Sequence, residues 1–498
     1  MRNNTELMAK LAKFFPLYLL FYFILILVNA TMLPVAWVDE VMLIDPAMNL
    51  INNGHFASKI WPFINTEVFF AAYLPVPAFL YAFALGIFSN TIFVTRITWI
   101  LLFVIHIYLL YRLLSHYLKN KEIVYFLLIV YLNLEGITNA MRSGRAEIPE
   151  LLFISLFLFA FLIKKNPIIS GLSLTFLGLC HPSMWMICSI AFIWIVVGKF
   201  FKPFKIKFLI SAGIPVILFI IFAGENLIEY QNQLFIHAAE HSNTQNQHNF
   251  LTSYFVDFFL PVYASQPYLI LFIWLAFGFS CYKIFNYKKN RDIFIPLLFI
   301  GTYIFWMFSL AVFHRYTPVI VFLSFLLIPS MMDLINNTYP NFKLKFKNTL
   351  VTNMLFLIAL LLVSAPFLIR NSVAIVQKQQ RSTKPLFAWL DKEIKTDHKK
   401  ILIIGAPVGL FYSMKNENVE YTLTYGTRKF KFNDYEKVYY LKHRHDRICG
   451  KFIANYPISE SDFEATLSKL FKTETYLGMS LYQISSEQEL QDLNYYFD

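Results

Sequence analysis

Charge is scarce in this chain. Only 15% of its 498 residues are Asp, Glu, Lys or Arg, against about a quarter in soluble domains. That excludes an ordinary soluble globular protein. Cysteine is scarce too. Cys180, Cys188, Cys281 and Cys449 stand singly, three of them in or beside apolar segments and the fourth with no partner in its region. A disulfide framework is therefore not expected. The glycine spacing of a dinucleotide-binding turn is missing from Ile404-Gly405-Ala406-Pro407. No small-residue cleavage site follows the first apolar run, so that run reads as a retained span and not a signal peptide. The apolar runs are nearly free of ionisable groups inside, which argues against a proton or ion pump. Inverted repeats with broken helices are not evident, which weakens a transporter reading.

What is present is apolar. Hydrophobic residues make up 57% of the chain and aromatics 18%, with 54 Phe. The expected class is a polytopic α-helical membrane protein. The net charge of +12 is spread over short loops, so membrane topology explains it and nucleic acid is not an expected partner. Phe14 to Pro34 is long enough to cross a bilayer, which takes about 20 residues. Arg2, Lys10 and Lys13 precede it, putting the N-terminus in the cytoplasm. About 11 spans fit near 14–34, 92–114, 122–139, 148–163, 167–181, 184–198, 208–224, 266–285, 293–312, 316–335 and 349–369. With these, the basic loops around Lys119, Lys164, Lys199–Lys207, Lys288–Arg291 and Lys343–Lys347 are all cytoplasmic. Val68 to Phe88 is also long and apolar, but spanning would invert the later loops. Pro75 and Pro77 break its first half, so it is expected to lie at the outer interface.

The polar residues then collect on one side. The outer loops hold Asp39, Glu40, His55, Glu67, Arg142, Arg145, Glu147, His181, the stretch Glu225 to Asp257, and His314-Arg315. Asp39-Glu40 directly follows the first span, where two carboxylates meet water beside lipid. A charged outer face over apolar spans points to an enzyme acting on lipid-linked substrates.

Trp37-Val38-Asp39-Glu40, followed by Ala47 to Phe56, resembles the first outer loop of the GT-C glycosyltransferases, in which an acidic pair opens a short helix ending at glycine. Tyr73-Leu74-Pro75-Val76-Pro77-Ala78-Phe79-Leu80-Tyr81, with Gly86 and Arg96 downstream, is similar to the next interfacial helix and span of one branch. That branch contains the protein O-mannosyltransferases and the lipid A aminoarabinose transferase. Ser143-Gly144-Arg145-Ala146-Glu147 falls where the superfamily often carries a further acid, and His314-Arg315-Tyr316-Thr317-Pro318 resembles its late Arg-Tyr motif. The resemblance runs in order over roughly residues 10 to 335.

The resemblance implies inverting sugar transfer on the outer membrane face. The donor would be a polyprenyl-phosphate or diphosphate sugar, and the acceptor a hydroxyl on a glycan, lipid or protein. Asp39 is the expected base, with Glu40 or Glu147 orienting it or binding a divalent cation. Asp39 and Glu147 are the first candidates for that cation. Arg142, Arg145 and Arg315, and secondarily His181 and His314, would hold the donor phosphate. The plainer readings stand beside these roles. Asp39-Glu40 and Glu147 also suit helix N-termini, Arg315 suits a snorkelling span end, and His181-Pro182 suits a polar break between spans.

His237-Ala238-Ala239-Glu240-His241 fits H-x-x-E-H, whose two histidines share a helix face and could ligate zinc, with His248 nearby. The match is short and lies in a polar stretch. Charge rises over the last part of the chain. Lys400–Gly405, Val438–Leu441 and Met479–Ile484 read as strands, and Phe463–Phe471 as a helix. The expected layout is a transmembrane catalytic domain over 1–369 and a small extracytoplasmic α/β domain over 370–498. In the second, His443-Arg444-His445-Asp446-Arg447 is a basic cluster suited to an anionic acceptor or simply to solvent. The composition points to a bacterial inner or plasma membrane. A transporter or flippase of lipid-linked sugars is the competing function, and a zinc-dependent membrane hydrolase the third.

Overall fold

The structure is a computed structural model. It describes residues 2–30, 38–58, 60, 66–71, 73–88, 91–142, 144–245, 267–286, 293–308, 317–338, 364–365, 367–369, 371–373, 383–394, 400–406, 408–423, 431–443, 465–472 and 479–497. Its contacts divide it into two units, neither continuous in sequence. One comprises 1–28, 99–222 and 248–373, and the other 29–98, 223–247 and 374–498.

Helices dominate both. In chain order they begin with α1 (Arg2–Val28), α2 (Val38–Asn53), α3 (Pro75–Ile87), α4 (Ile92–Tyr117), α5 (Lys121–Leu132), α6 (Glu135–Arg142) and α7 (Glu147–Leu158). There follow α8 (Pro167–Gly178), α9 (Trp185–Val197), α10 (Lys202–Ala223), α11 (Leu227–Gln245), α12 (Pro267–Phe285), α13 (Phe294–Phe308) and α14 (Thr317–Thr338). Polar residues punctuate this apolar text. Asn120 caps α5 by accepting the Glu122 and Ile123 N–H groups, and Asn166 caps α8 in the same way ahead of Pro167.

Among the described residues, three helices are long and apolar enough to cross a membrane: Ile92–Tyr117, Lys202–Ile236 and Pro318–Ile335. A fourth is reached if α5 and α6, bent by 64°, make one span. Shorter apolar helices include Pro167–Gly178, Pro182–Val197 and Leu271–Phe285. These are the elements of an integral membrane protein. Among the described residues of Val68–Phe88, only Pro75–Ile87 are helical. That helix is roughly 20 Å long at 1.5 Å per residue, short of the ~30 Å hydrocarbon layer. Of the expected last span, 349–369, most lies outside the described residues.

In the first unit α7 packs along α8, and α13 packs against α9, α12 and α14. A buried histidine fastens three helices there. His106 on α4 is fully enclosed, with Nδ1 3.0 Å from the Leu151 carbonyl on α7 and Nε2 3.0 Å from the Tyr131 hydroxyl on α5. A carbonyl only accepts, so Nδ1 carries a proton.

The second unit contains a small α/β layer with α15 (Thr383–Ile394), α16 (Val408–Ser413) and α17 (Glu487–Phe497). Its sheet, of β1 (Ile401–Gly405), β2 (Val419–Thr422), β3 (Lys437–His443), β4 (Phe471–Lys472) and β5 (Met479–Ile484), is ordered β2-β1-β3-β5-β4. β1 runs parallel to β2 and β3, and β5 antiparallel to β3 and β4. All five residues of β1 are buried, the pattern of a strand covered on both faces. Gly405 ends β1 at φ +112°, and a Cβ there would stand 2.5 Å from the Leu441 carbonyl oxygen. Only glycine fits that approach of β1 to β3. The Phe463–Phe471 stretch departs from its helical expectation. Among the described residues only 465–467 are helical, and Phe471 joins the edge strand β4.

Candidate functional site

Asp39 and Glu40 fall in the first turn of α2, where unpaired N–H groups and the helix dipole favour carboxylates. Both Glu40 oxygens are taken by one arginine. Arg96 Nε donates to Oε1 at 3.1 Å and Nη2 to Oε2 at 3.0 Å. Its Nη1 donates to the Ala30 carbonyl at 2.9 Å. Glu40 is 0% and Arg96 1% exposed. Charges so deeply buried persist because each satisfies the other with good geometry. The pair binds the start of α2 to the start of α4, and the Tyr81 phenol of α3 lies within the field of both charges. The Asp39 side chain lies outside the described residues.

Below that turn α2 is held by a strap, residues 56–58 and 66–71. Ser58 Oγ donates to Asp45 Oδ2 at 2.6 Å, and Asn49 Nδ2 donates to the Ala57 carbonyl at 2.9 Å. The Ser58 N–H donates to the Thr66 carbonyl and the Phe70 N–H to the Phe56 carbonyl. The helix ends at Gly54, at φ +72°, the left-handed C-terminal position that glycine adopts without penalty. His55 and Glu67 are exposed on this loop.

In the first unit, Arg142, Arg145 and Glu147 flank the turn from α6 to α7. Gly144 makes that turn at φ +62°. Arg145 grips Glu147 with two donors, Nε to Oε2 at 3.1 Å and Nη2 to Oε1. The Arg145 carbonyl accepts from the indole N–H of Trp99 on α4. Arg142 is directed elsewhere. Its Nη2 donates to Asn371 Oδ1 and its guanidinium lies 5.4 Å from the centre of the Phe367 ring. Glu150, one helical turn after Glu147, is 1% exposed. Its Oε1 has no hydrogen-bond partner among the described residues. His181 closes the break between α8 and α9 by accepting the Ser183 N–H at Nδ1.

The other expected residues are not assembled. His314 and Arg315 lie outside the described residues, as do His248 and Arg444 to Arg447. His237, Glu240 and His241 are on α11, so the two histidines sit one turn apart, but their side chains lie outside the described residues. No group of three His, Cys, Asp or Glu able to hold a metal ion occurs among the described residues.

Three neighbours of the expected residues are not marked as site residues by the sequence. Arg96 had a signal. It is the only Lys or Arg between Lys59 and Arg112, and a lone arginine in an apolar helix calls for a buried acid. Glu150 had a weaker one, an acid three residues after Glu147 inside an apolar run. Asn371, 229 residues from Arg142, had none.

No protein-family model matches the sequence, and no curated protein matches it. Chains of solved structures do. The Archaeoglobus fulgidus oligosaccharyltransferase, crystallised in complex with Zn and sulfate, is similar to the chain with a TM-score of 0.45 and 10% identity. The match covers 84% of this chain and 67% of that one.

Proposed function

We propose that this protein is a membrane glycosyltransferase of the GT-C kind. It moves a sugar from a polyprenyl-phosphate or diphosphate donor to a hydroxyl acceptor at the outer membrane face. One observation carries the reading. The buried Glu40–Arg96 pair fixes the first turn of α2, the same turn in which Asp39 precedes Glu40.

The chemistry assigned to Asp39 is general-base catalysis. The acceptor oxygen attacks the anomeric carbon while its proton passes to the Asp39 carboxylate. The bond from that carbon to the phosphate oxygen breaks, its electron pair leaves with the lipid phosphate, and the configuration inverts. Glu40 orients the helix through Arg96. Arg142, Arg145 and Arg315, with His181 and His314, are assigned to the departing phosphate. Among these, the Arg145 guanidinium is set by Glu147, so its plane is fixed before substrate arrives. The described carboxylates do not form a divalent-cation site. Glu40 and Glu147 are each engaged by an arginine, whereas such a cation takes about six oxygen ligands.

The prenyl tail is assigned to an apolar groove of about 680 Å³ between α8, α9 and α10. Its lining includes Leu174, Gly178, Trp185, Phe192, Leu209 and Val216, and His181 follows α8 two residues after the lining residue Leu179. A mostly apolar pocket of this size suits one lipid chain. The direct test supplies purified protein with a panel of labelled polyprenyl-phosphate sugars. Transfer to an acceptor supports the reading. Movement of the lipid-linked sugar across liposome leaflets without transfer would establish the flippase instead.

A further inference from the structure

Gln233 on α11 is fully enclosed. Glutamine is seldom buried unless every polar atom is paired. Here the amide does what a neighbouring strand would do. The Ala71 N–H donates to Oε1 at 2.7 Å, and Nε2 donates to the Phe69 carbonyl at 2.9 Å. The second Nε2 hydrogen goes to Glu229 Oε1 at 3.0 Å, one turn back on the same helix. Gln233 thus satisfies backbone groups of the strap from more than 160 residues away in sequence.

The strap leads on to the acidic helix. Between Ala71 and Phe69, the Phe70 N–H donates to the Phe56 carbonyl at 2.7 Å. The neighbouring Ala57 carbonyl accepts from Asn49, and Ser58 donates to Asp45. Asn49 and Asp45 belong to α2, whose first turn bears Asp39 and Glu40. A path of hydrogen bonds joined through adjacent backbone residues therefore runs from α11 through the strap to the acidic helix. The far end of α2 is fixed by Arg96, and the near end by this path.

We propose that Gln233 is a positioning residue for the acidic helix. It latches α11 to the strap and so sets the seating of α2, acting on Asp39 through backbone and not by touching substrate. This rests on the transferase reading for its activity readout, but the latch itself is testable without it.

Glutamine and glutamate have nearly the same shape, which gives the test its edge. In Gln233→Glu the ionised carboxylate still accepts from Ala71, but it has no hydrogen for Phe69 and faces the Glu229 carboxylate. Protonation restores one O–H donor. Glu229, one turn back on the same helix, is the carboxylate that faces this position. The experiment measures hydrogen–deuterium exchange at the Ala71 amide, and sugar transfer, for wild type, Gln233→Glu and Gln233→Ala between pH 5 and pH 8. We expect Ala71 exchange corrected for intrinsic pH dependence to rise at least tenfold in Gln233→Ala at all pH values. In Gln233→Glu it should rise only toward pH 8, with transfer falling in step. A wild-type Ala71 protection factor in all three proteins, flat with pH, would overturn the latch. Loss of protection with transfer unchanged would leave a latch that positions nothing, and would also overturn the proposal. If wild type transfers no sugar while Ala71 responds as expected, the failure lies with the transferase reading.

Discussion

Arg96 binds both carboxylate oxygens of Glu40 across 56 residues of sequence, at 3.1 and 3.0 Å, with neither side chain reached by solvent. A buried pair of this kind is unforgiving of half-measures. Removing one partner strands a charge and costs about 3–5 kcal/mol. Arg96→Ala and Glu40→Ala should each lower the thermal midpoint of the detergent-solubilised protein sharply. The double variant Glu40→Met/Arg96→Met should recover much of the loss, because it strands nothing. If the double variant is as unstable as the sum of two single apolar variants, the pair is not the coupling that holds α2.

The groove between α8, α9 and α10 has room at one glycine. A Cβ built on Gly213 meets nothing within 4 Å, and Gly213 lines the groove. Gly213→Phe should therefore fold normally while filling space assigned to the donor tail. The KM for a long-chain prenyl donor should rise roughly tenfold, equivalent to about 1.4 kcal/mol, with little change for a donor of two or three isoprene units. Equal effects on both donors would remove the groove from donor binding.

The α/β layer carries tyrosines whose neutral form is favoured by folding. Burial, then the hydrogen bond it donates to Glu420, pushes the Tyr435 phenol above its ordinary value. Burial and the bond to Asp391 do the same for Tyr412. A raised phenol pKa means that the folded state holds its proton longer than the unfolded chain does. The stabilisation is then complete below about pH 10, the ordinary tyrosine value, and is lost as pH rises above it. Alkaline titration followed by tyrosinate absorbance should show these two ionising only as the layer unfolds. Tyr435→Phe should blunt the alkaline loss, and an unchanged alkaline midpoint in that variant would contradict the assignment.

Much of this was legible in the residues. The strands near Lys400, Val438 and Met479 announce themselves by branched and aromatic runs, and the structure has β1, β3 and β5 there. β2 did not. Val-Glu-Tyr-Thr is four residues long and carries a charge, and it is a strand because β1 lies beside it. Phe463–Phe471 has helical spacing, yet its end pairs with β5, so tertiary contact overrode local pattern. The site divides in the same way. Arg145 and Glu147, two residues apart, were legible as one cluster. The partners of Glu40 and Arg142 lie 56 and 229 residues away. Spacing within a helix cannot encode such pairs, and neither can it reveal that Gln233 serves the backbone of a distant loop.

The central claim is that Asp39 removes the acceptor proton while Glu40 serves the scaffold. The most direct measurement is sugar transfer by purified wild type, Asp39→Asn and Glu40→Gln, each checked for an unchanged thermal midpoint or corrected for its folded fraction. The substitution at Asp39 removes the base and nearly keeps the shape, so turnover should fall at least a hundredfold with donor binding intact. Glu40→Gln should lose stability first and turnover per folded molecule much less. An Asp39→Asn protein that turns over at the wild-type rate would contradict the account, and would leave the acidic pair as a helix cap.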